Sequence, residues 1–232
     1  MMETIILGIT FLSLLLLWIG IALVAERANI SVFQKRFVQI TSAMLFIAWF
    51  AAIDLLARFG FFRINGVVLL AFLLTALFGF SLFFSQTFRK LLAVTPMYWI
   101  IGIQVFRAIG GVFLIGYVQG LLPGLFALPA GIGDVLTAIT ALVVAYWSYK
   151  NGKGARLIAY IWNCFGVLDF VNALTLGTLA SFITIEPTTA LLGVLPFVLI
   201  PAFGVPRSFL LHGYTFWLLS KRRTKTAAAL SH

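Results

Sequence analysis

The chain has 232 residues, of which 62% are hydrophobic and only 9% charged. An ordinary soluble domain carries about 25% charged residues, and a mean hydropathy of +1.12 leaves little material for a wetted surface. The formal net charge of +10 is not the mark of a nucleic-acid binder, because most of the basic residues fall in short segments between apolar runs.

Seven apolar segments are long enough to cross about 30 Å of hydrocarbon. They cover residues 4–25, 37–57, 66–85, 96–118, 131–149, 157–179 and 191–219. The first lacks the pattern of a cleaved signal peptide: its start, MMET, has no basic residue and its apolar run is too long. Lys and Arg placement orients the set. The first, third and fifth connections and the tail hold Arg27, Lys35, Arg36, Arg89, Lys90, Lys150, Lys153, Arg156, Lys221, Arg222, Arg223 and Lys225, whereas the opposite side holds only Arg58 and Arg63. The expected fold is therefore an all-α integral membrane protein, a single domain over 1–232 with seven transmembrane helices. Its N-terminus lies outside and its C-terminus in the cytoplasm, in a plasma or bacterial inner membrane. This orientation leaves the Asn29-Ile30-Ser31 sequon on the cytoplasmic side, where it is not used.

Segments two and three weakly resemble six and seven. FAAIDLLA around Asp54 matches FGVLDFVNA around Asp169, and Phe72, Leu74, Phe78 and Gly79 match Phe197, Leu199, Phe203 and Gly204. The pattern suggests a parallel 3+1+3 pseudo-repeat, one of the known transporter plans.

Ionisable residues inside spans cost roughly 2.5–3.5 kcal/mol each on the insertion scale, so they tend to face the bundle interior and to have partners. Segment four offers Gln104 and Arg107. Segment five offers Asp134 above a stripe of small and polar residues (Thr137, Ala138, Ala141, Ala145, Ser148) that lets a neighbouring helix approach. Segment six offers Asn163, Asp169 and Asn172; segment seven offers Arg207 and, four residues after Ser208, His212. Helical spacing puts Gln104, Arg107 and Gly111 on one face, and Trp162, Gly166, Asp169 and Asn172 on another. Asp134 and Asp169 are the expected counter-charges of Arg107 and Arg207. Asp54 and Arg58, four apart near the outer interface, read as a local ion pair.

Pro196, Pro201 and Pro206 recur every five residues. Each removes a helix hydrogen bond, so segment seven should be kinked or broken in its outer half, with Arg207 and Asn172 as candidate donors to the freed carbonyls. The uncharged stretch QGLLPGLFALPAGIG, from Gln119 to Gly133, reads as an interfacial loop or lid.

The single cysteine, Cys164, excludes an intramolecular disulfide and a CxxC site, and reads as a small core residue. Two histidines, His212 and the last residue His232, cannot build a three-histidine zinc site. No metal set and no cofactor is expected. Segment seven has no lysine for a retinal Schiff base. Three functions follow. The first is a carrier, channel or ligand-binding bundle for a small polar or anionic molecule, with Gln104, Arg107, Asp134, Asn163, Asp169, Asn172, Arg207 and His212 lining the site. The second is an assembly or sensory subunit that binds other membrane proteins. The third is an intramembrane lipid-modifying enzyme using Asp134, Asp169 and His212, which lacks a strong nucleophile–base pair. Ion pairs inside a bundle also serve to fix helix register. The bilayer is the expected partner, with no nucleic acid.

Overall fold

A computed structural model describes residues 1–64, 66–183 and 185–229, with side chains as far as Lys221. His232 and the side chains of Arg222, Arg223 and Lys225 lie outside that description. The protein is all-helical, with 85% of residues in helices and no strand among the described residues.

Two long helices open the chain, α1 (Met2–Arg27) and α2 (Val32–Arg58). The sharp start of α2 is a capping box: Ser31 Oγ accepts from the Gln34 amide at 3.2 Å and Gln34 Oε1 accepts from the Ser31 amide at 3.0 Å. Next come α3 (Val67–Ser81) and a short amphipathic helix α4 (Gln86–Val94), which carries Arg89 and Lys90 and buries Leu92. The fourth span is composite. It begins as α5 (Met97–Gly102), tightens to a 3₁₀ stretch over Ile103–Gly110, and resumes as α6 (Gly111–Val118). Two helices of full membrane length follow, α7 (Gly124–Tyr149) and α8 (Ala155–Phe182).

Six helical stretches are long and apolar enough to cross a membrane: Met2–Arg27, Val32–Arg58, Val67–Phe84, Met97–Val118, Gly124–Tyr149 and Ala155–Phe182. Each coincides with one of the expected segments. α7 is the central element, packed by α5, the 3₁₀ stretch, α6 and α8. Half of its most apolar window is buried, against 6% for α2, so α2 stands at the periphery.

The last segment differs most from a plain span. It runs through a 3₁₀ turn (Thr189–Gly193), a run of turns containing Pro196, a π-helical stretch (Ile200–Gly204) and then α9 (Val205–Ala229). The proline spacing thus breaks the helix in the half where the sequence places the break. The stretches aligned in the proposed repeat take different backbones: Phe72–Gly79 is continuous α-helix, whereas 197–204 is turn and π-helix.

The Gln119–Gly133 stretch corrects the sequence reading. Only Gln119–Pro123 connects α6 to α7; Gly124 already begins the helix, with Pro123 as its N-cap and Pro129 inside it. A proline near the start of a membrane helix removes one backbone bond that the packed neighbours tolerate.

Two apolar cores occupy opposite ends of the bundle. One gathers Phe62, Phe113, Phe126, Phe197, Leu199, Ile200 and Phe203; the other gathers Leu92, Met97, Ile101, Trp162 and Leu218. Gln104, Arg107, Asp134, Thr137, Asn163, Asp169, Ser208 and His212, all buried, fall between these two cores.

Candidate functional site

Arg107 is the centre of that polar layer. It is 3% exposed, on the same face of the 3₁₀ stretch as Gln104 and one turn further on, because residues three apart eclipse in a 3₁₀ helix. Its Nε donates to Asp134 Oδ1 of α7 at 2.8 Å, and Nη2 lies 2.8 Å from the same oxygen. Nη2 also donates to Asp169 Oδ2 of α8. Nη1 donates to the Gly166 carbonyl at 3.1 Å and to His212 Nε2 at 3.2 Å. The Phe170 ring closes one face of the guanidinium, 3.7 Å from its carbon. All three guanidinium nitrogens are therefore engaged by this chain's own groups.

His212, fully buried on α9, extends the layer. Its Nδ1 lies 2.7 Å from Asn163 Oδ1, and Asn163 Nδ2 donates to the His212 carbonyl at 3.0 Å. An arginine only donates, so Nε2 is the acceptor and the ring proton sits on Nδ1, aimed at Asn163. Gln104 ties in from the other side, its Nε2 donating to the Ser208 carbonyl at 3.2 Å, while its buried Oε1 has no hydrogen-bond partner among the described residues.

Close helix approach makes this possible, and three glycines supply it. A Cβ on Gly110 would occupy the space of the Asp134 carboxylate. One on Gly133 would collide with Asp169 Oδ1, and one on Gly166 with the His212 ring. None of these is a turn position; each is a place where a side chain from the next helix lies directly on backbone.

Arg207 does not join the layer. Residues 207 and 212 are five apart on α9, about 140° around the helix. With His212 turned to Arg107, the Arg207 guanidinium is turned to α1, where Nη1 donates to Ser13 Oγ. Ser13 in turn donates to the Thr10 carbonyl at 2.8 Å. Arg207 makes no salt bridge among the described residues. The expectation of two arginines meeting two aspartates is thus corrected to one arginine holding both. Asn172 is corrected too: its side chain is exposed on α8 and makes no hydrogen bond to the layer or to the carbonyls freed by the prolines among the described residues. Asp54 and Arg58 form the expected i, i+4 pair, Nε to Oδ2 at 2.7 Å and Nη2 to Oδ1 at 3.2 Å.

Sequence reasoning missed the Gly166 carbonyl, the Phe170 ring and Ser13. Gly166 was legible as a neighbour of Asp169 on one face. Nothing in the local pattern ties Ser13 to a residue almost two hundred positions later.

A cavity of about 380 Å³ reaches this layer from one end of the bundle. Asp134 and Phe170 line it at depth. Arg63, Thr188 and Thr189 line it near the α2–α3 connection and the 3₁₀ turn before the π stretch, and its walls include Phe113, Phe126 and Ala173.

The model of the family described as domain of unknown function (DUF8737) matches residues 64–220. The chain belongs to the DUF8737 family. Every member of the Arg107 layer falls inside the DUF8737 segment, as do all the cavity residues apart from Phe62 and Arg63. Ser13 and the Asp54–Arg58 pair precede it. No curated protein and no solved structure matches the chain.

Proposed function

We propose that this protein is a seven-span, single-domain membrane carrier or ligand-binding bundle, with its N-terminus outside and its C-terminus in the cytoplasm. Its cavity takes a small polar ligand whose positively charged or hydrogen-bond-donating end meets Asp134. The observation that carries this reading is the cavity of about 380 Å³ ending on Asp134, a volume in the range of small-molecule sites. Charge decides the sign. Arg107 faces two carboxylates, so the layer has a formal excess of one negative charge when both are ionised and His212 is neutral. With its N–H groups already engaged, Arg107 has little left to offer an anion, whereas an incoming cation or donor relieves the excess.

The α2–α3, α6–α7 and α8–α9 connections all lie at the cavity's end of the bundle. In the proposed orientation that end is outside, so entry is from the exterior. A seventh crossing by the turn, π and α9 segments places the basic tail in the cytoplasm, in keeping with the bias of Lys and Arg.

The test uses two probes of similar size and opposite charge, benzyltrimethylammonium and benzoate, on the purified full chain in mild detergent. The cation raises the thermal unfolding midpoint of the parent and not of Asp134→Asn, and benzoate raises neither. Equal shifts with benzoate, or an undiminished cation shift in Asp134→Asn, would sink the reading.

A further inference from the structure

The outward face of α8 carries a second feature, independent of the cavity. Asn172 is the one exposed side-chain amide inside the six spans among the described residues. It lies about 5 Å along the axis from the middle of α8, well within the hydrocarbon at 1.5 Å per residue. No hydrogen bond to its side chain is present among the described residues. In lipid an amide has nothing to bond with unless another protein surface supplies it.

Its neighbours on that face form a regular row. Ile161, Phe165, Leu168, Asn172, Thr175 and Leu179 are spaced by alternating steps of four and three, and all six are exposed. Ile161 and Leu168 are 59% and 67% exposed, so the row is not partly packed inside the monomer. Alternating steps of four and three are the seam of a left-handed helix pair. The Thr175 hydroxyl donates to the Val171 carbonyl at 2.7 Å, so Asn172 is the polar group left to be answered.

We propose that the chain forms a homodimer in the bilayer through this face of α8, with Asn172 of each copy hydrogen-bonded to its counterpart. Self-complementarity selects a second copy. A carboxamide holds a donor and an acceptor in one group, so two identical amides satisfy each other across a two-fold axis. Copies inserted with the same orientation are related by an axis along the membrane normal. That axis sets the two α8 helices parallel and in register, bringing residue 172 opposite residue 172. The row is uncharged, so identical copies do not repel. Buried polar residues at such seam positions fix register and partner number.

The experiment is fluorescence energy transfer between donor- and acceptor-labelled full-length chains in phosphatidylcholine vesicles, over a series of protein-to-lipid ratios. Transfer should fall on dilution with lipid in the way of a monomer–dimer equilibrium. Asn172→Leu should weaken association by roughly three- to thirtyfold, the range of one interhelical hydrogen bond, with an unchanged thermal midpoint, and Asn172→Gln should restore most of it. In a Cys164→Ala background, cysteines at 168, 172 or 175 should cross-link between copies, and one at Val143 on the exposed face of α7 should not. A monomer at every ratio, parental affinity in Asn172→Leu, or equal cross-linking through position 143 overturns the proposal. The cation-probe test does not depend on any of these outcomes.

Discussion

Arg107 shows how a single guanidinium organises a membrane interior. It bonds to groups from three other helices, and removing one partner of such a set leaves uncompensated charge. Arg107→Met should therefore cost about 3–5 kcal/mol of stability, because Asp134 and Asp169 would face each other with no cation between them. Thermal or denaturant unfolding in detergent reads this directly. Asp169→Asn is predicted to be far milder, about 1–2 kcal/mol, since an amide oxygen still accepts from Nη2 and the remaining Arg107–Asp134 pair is electrically balanced. Comparable losses in the two variants would refute that ordering. At this scale the cost of charge in lipid marked Arg107, Asp134 and Asp169 as residues buried at depth with partners. It did not disclose the pairing. Arg107 and Arg207 look equivalent on paper, and only the 140° between residues 207 and 212, with His212 chosen by Arg107, separates them. Asn163, placed by helical spacing off the Asp169 face, entered the layer through the histidine rather than through the charges.

Among the elements, glycine placement decides whether α7 and α8 can reach the layer at all. Gly133→Ala should destabilise by about 1–3 kcal/mol, the usual effect of overpacking, because the new methyl group and Asp169 Oδ1 cannot share one site. Gly20→Ala on α1, with nothing within 4 Å of the added carbon, should be neutral or stabilising by up to about 1 kcal/mol. A melting comparison of the two variants tests the contrast, and equal losses would show that glycine acts only through helix propensity. Helix extents were readable from apolar run length, and the break in the last segment from its three prolines. The start of α7 was not. Gly124, Pro129, Gly131 and Gly133 carry the composition of a loop, yet within a bilayer the backbone has no water to bond with, and the helix continues through them. The 3₁₀ tightening over Ile103–Gly110 left no mark in the pattern either, since its residues are ordinary helix formers apart from Gly110.

The molecule as a whole divides into a packed half and a peripheral pair. α1 and α2 precede the DUF8737 segment, bury little, and reach the centre of the bundle through contacts such as Ser13 to Arg207. Ser13→Ala should leave the Arg107 layer intact while removing the one hydrogen bond that the Arg207 guanidinium makes among the described residues, a loss of about 1–3 kcal/mol. Unfolding of Ser13→Ala alone and combined with Arg207→Met checks this: the double variant should lose little beyond Arg207→Met itself. The orientation is tested separately, by single cysteines in a Cys164→Ala background. A cysteine at Thr188 should react with a membrane-impermeant maleimide in intact cells, and one at Lys153 only after permeabilisation. Six spans were legible because hydrocarbon thickness fixes their length. The cavity was not, since its walls come from connections far apart in the chain, whose convergence no local periodicity records.

The π-helical stretch Ile200–Gly204 has a consequence of its own. A π turn amounts to one residue spliced into an α-helix. Deleting that residue would restore ordinary winding with the flanking segments still in register, whereas adding or removing one between 205 and 211, where the helix is regular, would swing everything upstream by about 100° relative to His212. Thr189 and Leu192, which border the cavity, would then face a different neighbour. Chain length is therefore under tighter constraint between 205 and 211 than at the π turn, where the buried side chains of Ile200, Ala202 and Phe203 constrain residue identity instead.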